Sequence, residues 1–414
     1  MRDAPSELTP EHFRLLDPTV IEDPYPFYRA LLAHSPVYRV PDTPVYLVAS
    51  HALIHAALKN TADFSANLTG ILISGENGEP ELFDLGDFGG SVDALANADE
   101  PFHAVHRKLV LPHLTARQVA AMEPELRSWV RPRVAALVAA GGGDCVAALA
   151  NPIPVMAMAR LTGLPVDDAE RLLQWAFAGG EILAGTAGLA EMARLSESTA
   201  ALAAYLRTHY AKARLESSGA AQSVLEALVR GEAEGAISEQ EAVAIMIVLV
   251  GAAGESTSSL VGSALRLLAE QPALQARLRA APDLIERFVE EVVRLESPFK
   301  GHYRAVVRDT RLGDTDIPRG ARLLLLWAAA NRDPAVFAAP DALDLERSEA
   351  GEHLGFGHGI HFCIGARLAR LEARVILEEL LASTREVSLA AQEQPEHVAS
   401  IFVRRLARLH LRLG

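Results

Sequence analysis

The stretch from Phe356 to Gly365, FGHGIHFCIG, brings three glycines, two histidines and one cysteine together directly before an expected helix. Gly357 and Gly359 permit positive φ and a tight bulge, and Gly365 leaves room for a flat ligand at the helix start. A cysteine at a helix N-terminus is exposed to the positive end of the helix dipole, so a lowered pKa is expected for Cys363. The loop predicts a thiolate bound to a metal, beside a surface that fits a planar macrocycle.

Two other interpretations of this loop are open from the residues alone. The first is a structural turn with a buried thiol, which is the more common role of a lone cysteine. The second is a zinc site formed by His353, His358, His361 and Cys363. Zinc is the weaker of the two, because structural zinc sites favour thiolates in close pairs and the chain has no Cys-x-x-Cys.

A second group of reactive side chains lies in an apolar helix. Ser238, with a glutamate three residues later, forms a capping box, and the helical pattern continues to Gln271. Such a helix is about 50 Å long at about 1.5 Å per residue, so it must cross the middle of the molecule. Glu255, Ser256 and Thr257 fall near its midpoint. An acid and hydroxyls there could transfer protons, although helical hydroxyls also commonly bond the carbonyl four residues earlier.

The elements that position these residues are expected to be mostly helical. Helical patterning runs from Pro101 to about Arg230 and from Asp283 to Glu296, and a last long helix, Ala366 to Ala382, follows the cysteine. Strand patterns occur at Val37–Val40, Val45–Val48, Arg304–Val307 and Leu323–Leu326. The stretch Ser65–Ala98, rich in Gly, Asp and Glu, is expected to be an irregular functional loop. The pattern favours a mainly α fold with small β sheets.

Composition limits the partners and the location. The formal net charge of −14 argues against nucleic acid as a partner. Residues Met1–Asp23 are polar and contain three prolines, unlike a secretion signal, so a cytoplasmic location is expected. The most apolar run, Ala242–Gly254, is shorter than the roughly 20 residues needed to cross a bilayer, which predicts a buried helix and no membrane anchor. A second cysteine, Cys145, has no nearby thiol in the sequence, so no disulfide scaffold is indicated.

Residues 356–365 read Phe-x-x-Gly-x-His-x-Cys-x-Gly without a mismatch, and in this the chain resembles the cytochromes P450. Glu291–Arg294 matches the Glu-x-x-Arg of that family, and Ala329–Pro334 matches its bacterial Ala-Asn-Arg-Asp-Pro segment. The resemblance extends from Asp23 to the final strands. It implies a single P450 domain over residues 1–414, with haem between the long central helix and the cysteine loop with its last long helix.

Two further segments, Gly254–Thr257 and Gly301–Arg304, resemble an actinobacterial subgroup whose substrates are mostly unassigned. The family resemblance also implies that Glu291 and Arg294 form a buried structural pair. That pair would tie its helix to the segment around Arg332, although the spacing alone is that of an ordinary surface ion pair.

The resemblance gives roles to the residues of the loop. Cys363 would be the iron ligand of haem b, iron protoporphyrin IX, and Phe356 and Gly365 would contact the cofactor. The haem propionates would be bound by basic side chains: His103, Arg107, Arg304 and His361. His103 and Arg107 stand one helical turn apart and therefore point to one face. Each of these cations alone would be more typical of solvated surface, and only the match in family position favours haem binding.

The helix group is assigned in the same way. Registered on Pro272 without gaps, Ala252–Thr257 falls on the family's Ala-Gly-x-(Asp/Glu)-Thr-Thr. Glu255 then takes the acid position and Ser256 the hydroxyl position, and both are catalytic candidates for delivering protons to dioxygen. The glycine falls one place late and Thr257 follows Ser256, so either hydroxyl could serve.

The function implied is insertion of one oxygen atom from dioxygen into a hydrophobic small molecule. The chain has no Gly-x-Gly-x-x-Gly after a strand, so electrons are expected from a separate acidic ferredoxin and its NAD(P)H-dependent reductase. The ferredoxin would dock on a basic face of Arg107, Lys108, Arg367 and Arg370. A haem protein that only senses a ligand, and a peroxygenase driven by hydrogen peroxide, are the alternatives.

The family resemblance also places a roomy apolar substrate pocket on the other side of the haem. The segments expected to line it are Ser65–Ala98, Trp175–Leu183, Val248–Ala252, Phe299–His302 and Ser400–Phe402. Their small and apolar side chains do not discriminate between steroid, terpene, polyketide and fatty acyl substrates.

Overall fold

The computed structural model describes residues 8–88, 92–216, 219, 221–391 and 394–414. The first seven residues of the polar N-terminus and residues 89–91 of the expected irregular stretch lie outside this described part. Its α-helices are α1 Pro18–Glu22, α2 Tyr25–His34, α3 His51–Lys59, α4 Phe102–Val110, α5 Ala116–Ala121, α6 Glu123–Ala139, α7 Pro152–Thr162, α8 Ala169–Leu183, α9 Leu189–Glu216, α10 Val224–Ala233, α11 Glu239–Glu270, α12 Pro272–Ala280, α13 Leu284–Glu296, α14 Trp327–Ala330 and α15 Ala366–Ser383.

The strands are short and grouped in small sheets. They are β1 Val37–Arg39, β2 Val45–Val48, β3 Phe64–Ser65, β4 Gly70–Ser74, β5 Pro80–Asp84, β6 Gly142–Asp144, β7 His302–Val306, β8 Thr310–Leu312, β9 Thr315–Ile317, β10 Arg322–Leu325, β11 Val387–Leu389, β12 Glu396–His397, β13 Leu406–Arg408 and β14 His410–Leu413. The expectation of a mainly α fold with small β sheets is confirmed.

Helix α11 forms where the sequence predicts it. The Ser238 hydroxyl accepts a hydrogen bond from the backbone N–H of Glu241 at 3.2 Å, and the Glu241 carboxylate accepts one from the N–H of Ser238 at 2.7 Å. This reciprocal cap satisfies two N–H groups that the first turn would otherwise leave unpaired. The helix ends at Glu270, before Pro272. It packs against α7, α8, α13 and α15, so its side chains contact other helices on several sides.

By length and composition alone, α11 would be able to cross a membrane, which the shorter apolar run Ala242–Gly254 did not indicate. In the fold, 67% of its most apolar stretch is buried inside the protein. The neighbouring elements thus bury most of the apolar residues of α11, as expected for a helix in the centre of a core.

The largest sheet has the order β1-β2-β10-β7-β3. β1 and β2 pair antiparallel, as the strand-turn-strand pattern predicts, and β10 runs parallel to β2. β7 pairs antiparallel with β10, with Arg304 opposite Leu323. This register fixes β7 on a buried sheet and thereby positions Arg304 in the interior.

The prediction that Ser65–Ala98 is wholly irregular is wrong. β4 and β5 form an antiparallel hairpin, with Ile71 opposite Phe83. Ile71 and Leu72 are fully buried, and Gly78 in the turn adopts a φ of 77°. The strand signal of this short apolar run is weakened in the sequence by the Gly, Asp and Glu residues around it, which suit the turn.

Glu291 and Arg294 of α13 form a buried pair, as the resemblance implies. Arg294 donates to both carboxylate oxygens of Glu291 at 2.7 and 3.0 Å. Its guanidinium also donates to the Asn331 carbonyl at 3.1 Å, which ties α13 to the segment before Arg332. A third member was not predicted: Arg347 donates to Glu291 at 3.3 Å. The three side chains and their backbone partners fix the polypeptide that leads into the cysteine loop.

Candidate functional site

The cysteine loop is shaped by its main chain. The N–H of Cys363 donates to the carbonyl of Phe356 at 2.8 Å, which closes the loop. Gly357 and Gly359 have φ values of 68° and 72°, where only glycine is free of strain. Helix α15 begins at Ala366, directly after Gly365 and three residues after Cys363, so the thiol lies at the start of a long helix, as the sequence predicts.

The electrostatic state of the Cys363 thiol differs from the prediction. Burial is the largest influence and raises its pKa above the ordinary value. The backbone N–H groups of Gly365 and Ala366 lower the pKa, and so do the positive charges of Arg370 and Arg107. The expected donors are therefore present, but desolvation outweighs them while no cation is bound. A metal ion that coordinates the sulfur reverses this balance, because coordination displaces the thiol proton.

Basic side chains from separate elements converge next to this loop. The ring of His103, on α4, lies 4.2 Å from the ring of His361, centroid to centroid. Arg107 follows one turn later on α4. Burial, together with the positive charges of Arg304 and Arg107, lowers the pKa of His361 to about 3. The four residues that the resemblance assigned to the propionates are thus brought into one region by α4, β7 and the cysteine loop.

This cluster lacks the anions that would balance it. Arg304 is 4% exposed, and its guanidinium donates to the Tyr303 carbonyl at 2.7 Å. Among the described residues no carboxylate lies within ion-pair distance of Arg304, and burial lowers its pKa to about 10. Nδ1 of His361 is buried without a hydrogen-bond partner in the described residues. Buried cations and an orphaned ring nitrogen are unfavourable unless a ligand pairs with them. The site therefore fits a group that carries carboxylates, as haem does.

His103 is the partial exception in this cluster. Its Nδ1 lies 3.2 Å from a carboxylate oxygen of Glu100, so one ring nitrogen already has a partner. With Glu100 as acceptor, Nδ1 carries the proton and Nε2 is left as the nitrogen available to an added group.

Phe356 and Gly365 line the loop in different ways. The Arg370 guanidinium lies over the Phe356 ring at 4.3 Å, and His353 packs beside the same ring at 5.7 Å. Gly365 has no unusual φ, but a Cβ there would meet the Cys363 sulfur at 4.0 Å. Glycine at this position keeps the immediate surroundings of the thiol open.

Glu255 lies in a closely fitted polar niche on α11. It is 3% exposed, and its Oε1 lies 3.4 Å from Nε of Arg405. The guanidinium of Arg405 stacks on the Phe177 ring at 3.7 Å. A Cβ on Gly180 would stand 1.8 Å from Oε2 of Glu255, so a side chain at this position of α8 would force the carboxyl group to move. Burial raises the pKa of Glu255 to about 7, Arg405 opposes the rise, and the charge of Glu181 adds to it.

The two candidate hydroxyls of α11 differ in their surroundings. Ser256 donates to the Ala252 carbonyl at 2.6 Å, which is the bond to the carbonyl four residues earlier that helical hydroxyls commonly make. Ala252 is exposed, and Ser256 is half-buried one turn later on the same side of the helix. Thr257 is 5% exposed. The geometry therefore places Ser256, and not Thr257, on the open side of α11.

The zinc interpretation of the loop is wrong for the described residues, where no group of three or more His, Cys, Asp or Glu side chains could bind a metal ion. His353 is engaged by Glu290 at 3.1 Å, and the His358 ring stacks on His55 at 4.2 Å. His361 faces His103 instead. The side chains proposed as zinc ligands thus point to different neighbours.

Residues just after the expected lining segment Trp175–Leu183 contact two of the other expected segments or their immediate neighbours. The Ile401 N–H donates to the Ala184 carbonyl at 2.8 Å, Thr186 donates to the Ala399 carbonyl at 3.1 Å, and the Ser74 N–H donates to the Ala187 carbonyl at 3.1 Å. The end of α8 is therefore joined to both the C-terminal loop and the β4–β5 hairpin.

The aromatic residues of those segments divide into two groups. Phe299 and Phe402 stack at 4.8 Å, and the His302 ring lies 5.9 Å from Phe402. Trp175 packs on Tyr205 of α9 at 5.1 Å, so its ring is engaged between α8 and α9. The first group thus joins two of the predicted lining segments, and Trp175 stabilises the helix pair.

The roles of three residues were not predicted, although Gly180 and His302 fall in segments expected to line the substrate pocket. Arg405 and Gly180 have no local pattern, since one is an arginine near the C-terminus and the other a glycine inside a helix. Only the rule that a buried carboxylate needs a cation indicates that such a partner exists. His302 lies two residues before Arg304, and strand alternation could have placed both on one face of β7.

A cysteine at a helix start beside converging basic side chains is the arrangement expected of a haem-thiolate protein. A family profile described as Cytochrome P450 matches residues 191–398. Cytochrome P450 144 of Mycobacterium tuberculosis is 37% identical over 396 residues, 94% of this chain and 89% of that protein. Cyclomarin C epoxidase CymV of Salinispora arenicola is 32% identical over 358 residues, 85% of this chain and 86% of that protein.

A solved structure shares the fold of this chain. The structure of cytochrome P450 CREJ in complex with (4-ethylphenyl) dihydrogen phosphate gives a TM-score of 0.88 and covers 98% of this chain and 100% of that chain. At 24% identity this likeness shows the fold alone. From the profile and the relatives, the chain belongs to the cytochrome P450 family. It is a haem b-binding monooxygenase.

Proposed function

We propose that this enzyme inserts one atom of dioxygen into a hydrophobic small molecule, with electrons from a separate acidic ferredoxin and its NAD(P)H-dependent reductase. The observation that carries the proposal is that, next to the Cys363 loop, Arg304 is buried without a carboxylate at ion-pair distance and Nδ1 of His361 has no hydrogen-bond partner among the described residues. When haem b is bound there, it supplies the activation of dioxygen, and a thiolate ligand favours cleavage of the O–O bond. The cytoplasm, predicted from the sequence, would provide the NAD(P)H.

In this proposal the chain holds the cofactor with two kinds of residue. Cys363 supplies the sulfur, positioned by the bond of its own N–H to Phe356. The cluster of Arg107, Arg304 and the two histidines binds carboxylates. The negative charge of the carboxylates balances the positive charge of the cluster. Phe356 and Gly365 leave the loop apolar and uncrowded.

Proton delivery is assigned to Glu255 and Ser256. Glu255 is buried and has a pKa of about 7, so it can both give and take a proton near neutral pH. Arg405 and the α8 backbone at Gly180 fix its carboxyl group. Ser256, on the open side of α11, would pass the proton onward while its own hydroxyl is oriented by Ala252.

The pH dependence of turnover tests the role of Arg405 in setting the ionisation of Glu255. Arg405→Leu removes the cation that favours the ionised carboxylate, so the pKa of Glu255 should rise further above about 7. If protonated Glu255 is required, the rate falls as pH rises through this pKa, and in the variant that fall should move to higher pH. The measurement is NADPH-dependent turnover over a pH series.

Arg408→Leu is the matched control, because Arg408 is an exposed arginine on β13 that pairs with Glu396 at 4.0 Å. It should leave the profile unchanged, and Glu255→Gln should remove the falling limb. A profile that is the same for Arg405→Leu and the unaltered enzyme would show that the pair does not govern the rate.

A hydrophobic substrate is supported by the apolar side chains of the expected pocket. Phe299 and Phe402 stack there, and Ile401 lies against Gly185 at the end of α8. One relative is named as an epoxidase of cyclomarin C, and that likeness supports oxygen transfer to an organic small molecule. The test is a spectral-shift screen of the ferric protein against a lipophilic library, followed by substrate-dependent NADPH consumption with ferredoxin and reductase. Binding without such consumption would favour a sensor, and activity with hydrogen peroxide alone would favour a peroxygenase.

The basic face proposed for the ferredoxin is smaller than the sequence predicts. Lys108 and Arg367 are exposed, and Arg107 is half-buried beside the propionate cluster. Arg370 is not free, because it donates to both carboxylate oxygens of Glu290, at 2.5 and 2.8 Å. Arg370 is therefore removed from the docking proposal, which now rests on Lys108 and Arg367.

Charge reversal at both positions, Lys108→Glu with Arg367→Glu, should slow reduction by an acidic ferredoxin about tenfold at low salt, because complementary charge speeds encounter. Rising salt should reduce the difference between the variant and the unaltered enzyme. Stopped-flow reduction under carbon monoxide measures the rate. Lys212→Glu, an exposed reversal on α9, should have no such effect. An unchanged rate at low salt in the double variant would contradict docking on this face.

A further inference from the structure

His302 is a basic side chain that the haem assignment did not include. It is the first residue of β7 and stands opposite Leu325, whereas Arg304 stands opposite Leu323. Side chains two residues apart on a strand project from the same face of the sheet. His302 and Arg304 therefore point to the same side, the side on which the propionate cluster lies.

The imidazole of His302 is close to the cluster and makes no hydrogen bond within the described part of the chain. Arg304 lowers the pKa of His302, and His302 in turn acts on His361, so all three lie within electrostatic range. Burial is the main influence and lowers the pKa of His302 to about 3, which keeps the ring neutral. The ring centroid also lies 5.9 Å from that of Phe402. A neutral imidazole always retains one N–H to donate.

We propose that His302 is a further haem-propionate-binding residue, whose imidazole N–H donates to a carboxylate oxygen beside Arg304. The inference rests on the proposed haem site. It gives an acceptor to the N–H of a half-buried ring that lies at the edge of an aromatic pair and makes no hydrogen bond in the described part of the chain. A neutral donor also adds a bond to the carboxylate without adding to the positive charge that Arg107 and Arg304 already bring.

The test compares haem retention in the intact ferric holoenzyme. His302→Phe preserves the ring and its contact with Phe402 but removes the donor, and it should speed haem transfer to excess apomyoglobin about tenfold, the effect of one hydrogen bond to a charged acceptor. His302→Asn, which restores an N–H donor, should recover part of the difference. His209→Phe is the matched control, because His209 also stacks on an aromatic ring, Tyr205, at 4.4 Å. It should retain haem like the unaltered protein.

A second measurement separates hydrogen bonding from packing. The propionate bending band in the resonance Raman spectrum should shift in His302→Phe and not in His209→Phe. Unchanged haem retention, or faster loss with an unshifted band, would overturn the proposal, and the first result would assign His302 to the substrate side instead. Arg304→Leu distinguishes the two levels of the argument: if it too leaves retention and band unchanged, the whole cluster is wrong as the propionate site. An effect of Arg304→Leu alone would overturn only the role of His302.

Discussion

Replacing Cys363 by serine is expected to abolish the strongly red-shifted Soret band of the reduced carbon monoxide complex, and with it turnover with dioxygen. A serine hydroxyl does not ionise near neutral pH, so it cannot replace the electron-donating thiolate. The loop itself should survive, because it is fixed by main-chain features: the Cys363 N–H bonds the Phe356 carbonyl at 2.8 Å, and Gly357 and Gly359 keep their positive φ. The spectrum of the reduced protein under carbon monoxide is the measurement.

Cys145→Ser provides the control for this experiment. Cys145 is fully buried, and burial with the charge of Asp144 raises its pKa to about 12, so it is an inert thiol far from thiolate character. This variant should keep the red-shifted band, even if buried serine lowers the stability of the fold. Should Cys363→Ser retain the band and Cys145→Ser lose it, the assignment of the ligand would be wrong.

The parts of the site that follow from local sequence were predicted well. The capping box at Ser238 and the proline after the helix set the bounds of α11, and the glycines at 357 and 359 required the bulge that the loop contains. These features depend on residues close in the chain, where hydrogen-bonding and φ preferences act directly.

The residues that were missed depend on pairing across long distances in the chain. Arg347 reaches Glu291 over 56 residues, and Arg405 reaches Glu255 over 150. Many arginines could satisfy a buried carboxylate, and only tertiary packing selects one. Gly180 belongs to the same case, since its role appears only when α8 lies against Glu255.

The predictions of a lowered pKa for Cys363 and of an unpaired Arg370 were wrong for a related reason. Sequence position shows the helix start and the positive charge, but it does not show desolvation or the competing carboxylate of Glu290. Burial and pairing depend on the tertiary structure. Here burial raises the pKa of Cys363 instead of lowering it, and pairing with Glu290 occupies Arg370.

Ser256→Ala should uncouple the enzyme, consuming NADPH and dioxygen while releasing hydrogen peroxide, so that product per NADPH falls several-fold. The hydroxyl lies on the open side of α11, one turn from exposed Ala252, where it can pass a proton. Glu255→Gln keeps the shape of the buried side chain but removes its ionisable proton, so slower turnover is expected with haem content preserved. The ratio of product to NADPH, once a substrate is known, measures both effects.

Thr257→Ala is the internal control, because adjacent residues of a helix point about 100 degrees apart and Thr257 is buried at 5% exposure. It should leave the ratio of product to NADPH unchanged while removing a hydroxyl of the same kind from the neighbouring position. If Thr257→Ala uncouples and Ser256→Ala does not, the gap-free register of α11 is wrong and the proton passes through Thr257. If neither variant uncouples, both hydroxyls are dispensable, and protons must reach the reaction through ordered water or through the substrate. The contrast between two adjacent residues makes the outcome independent of any general loss of stability, since the buried Thr257 is the more costly of the two to truncate.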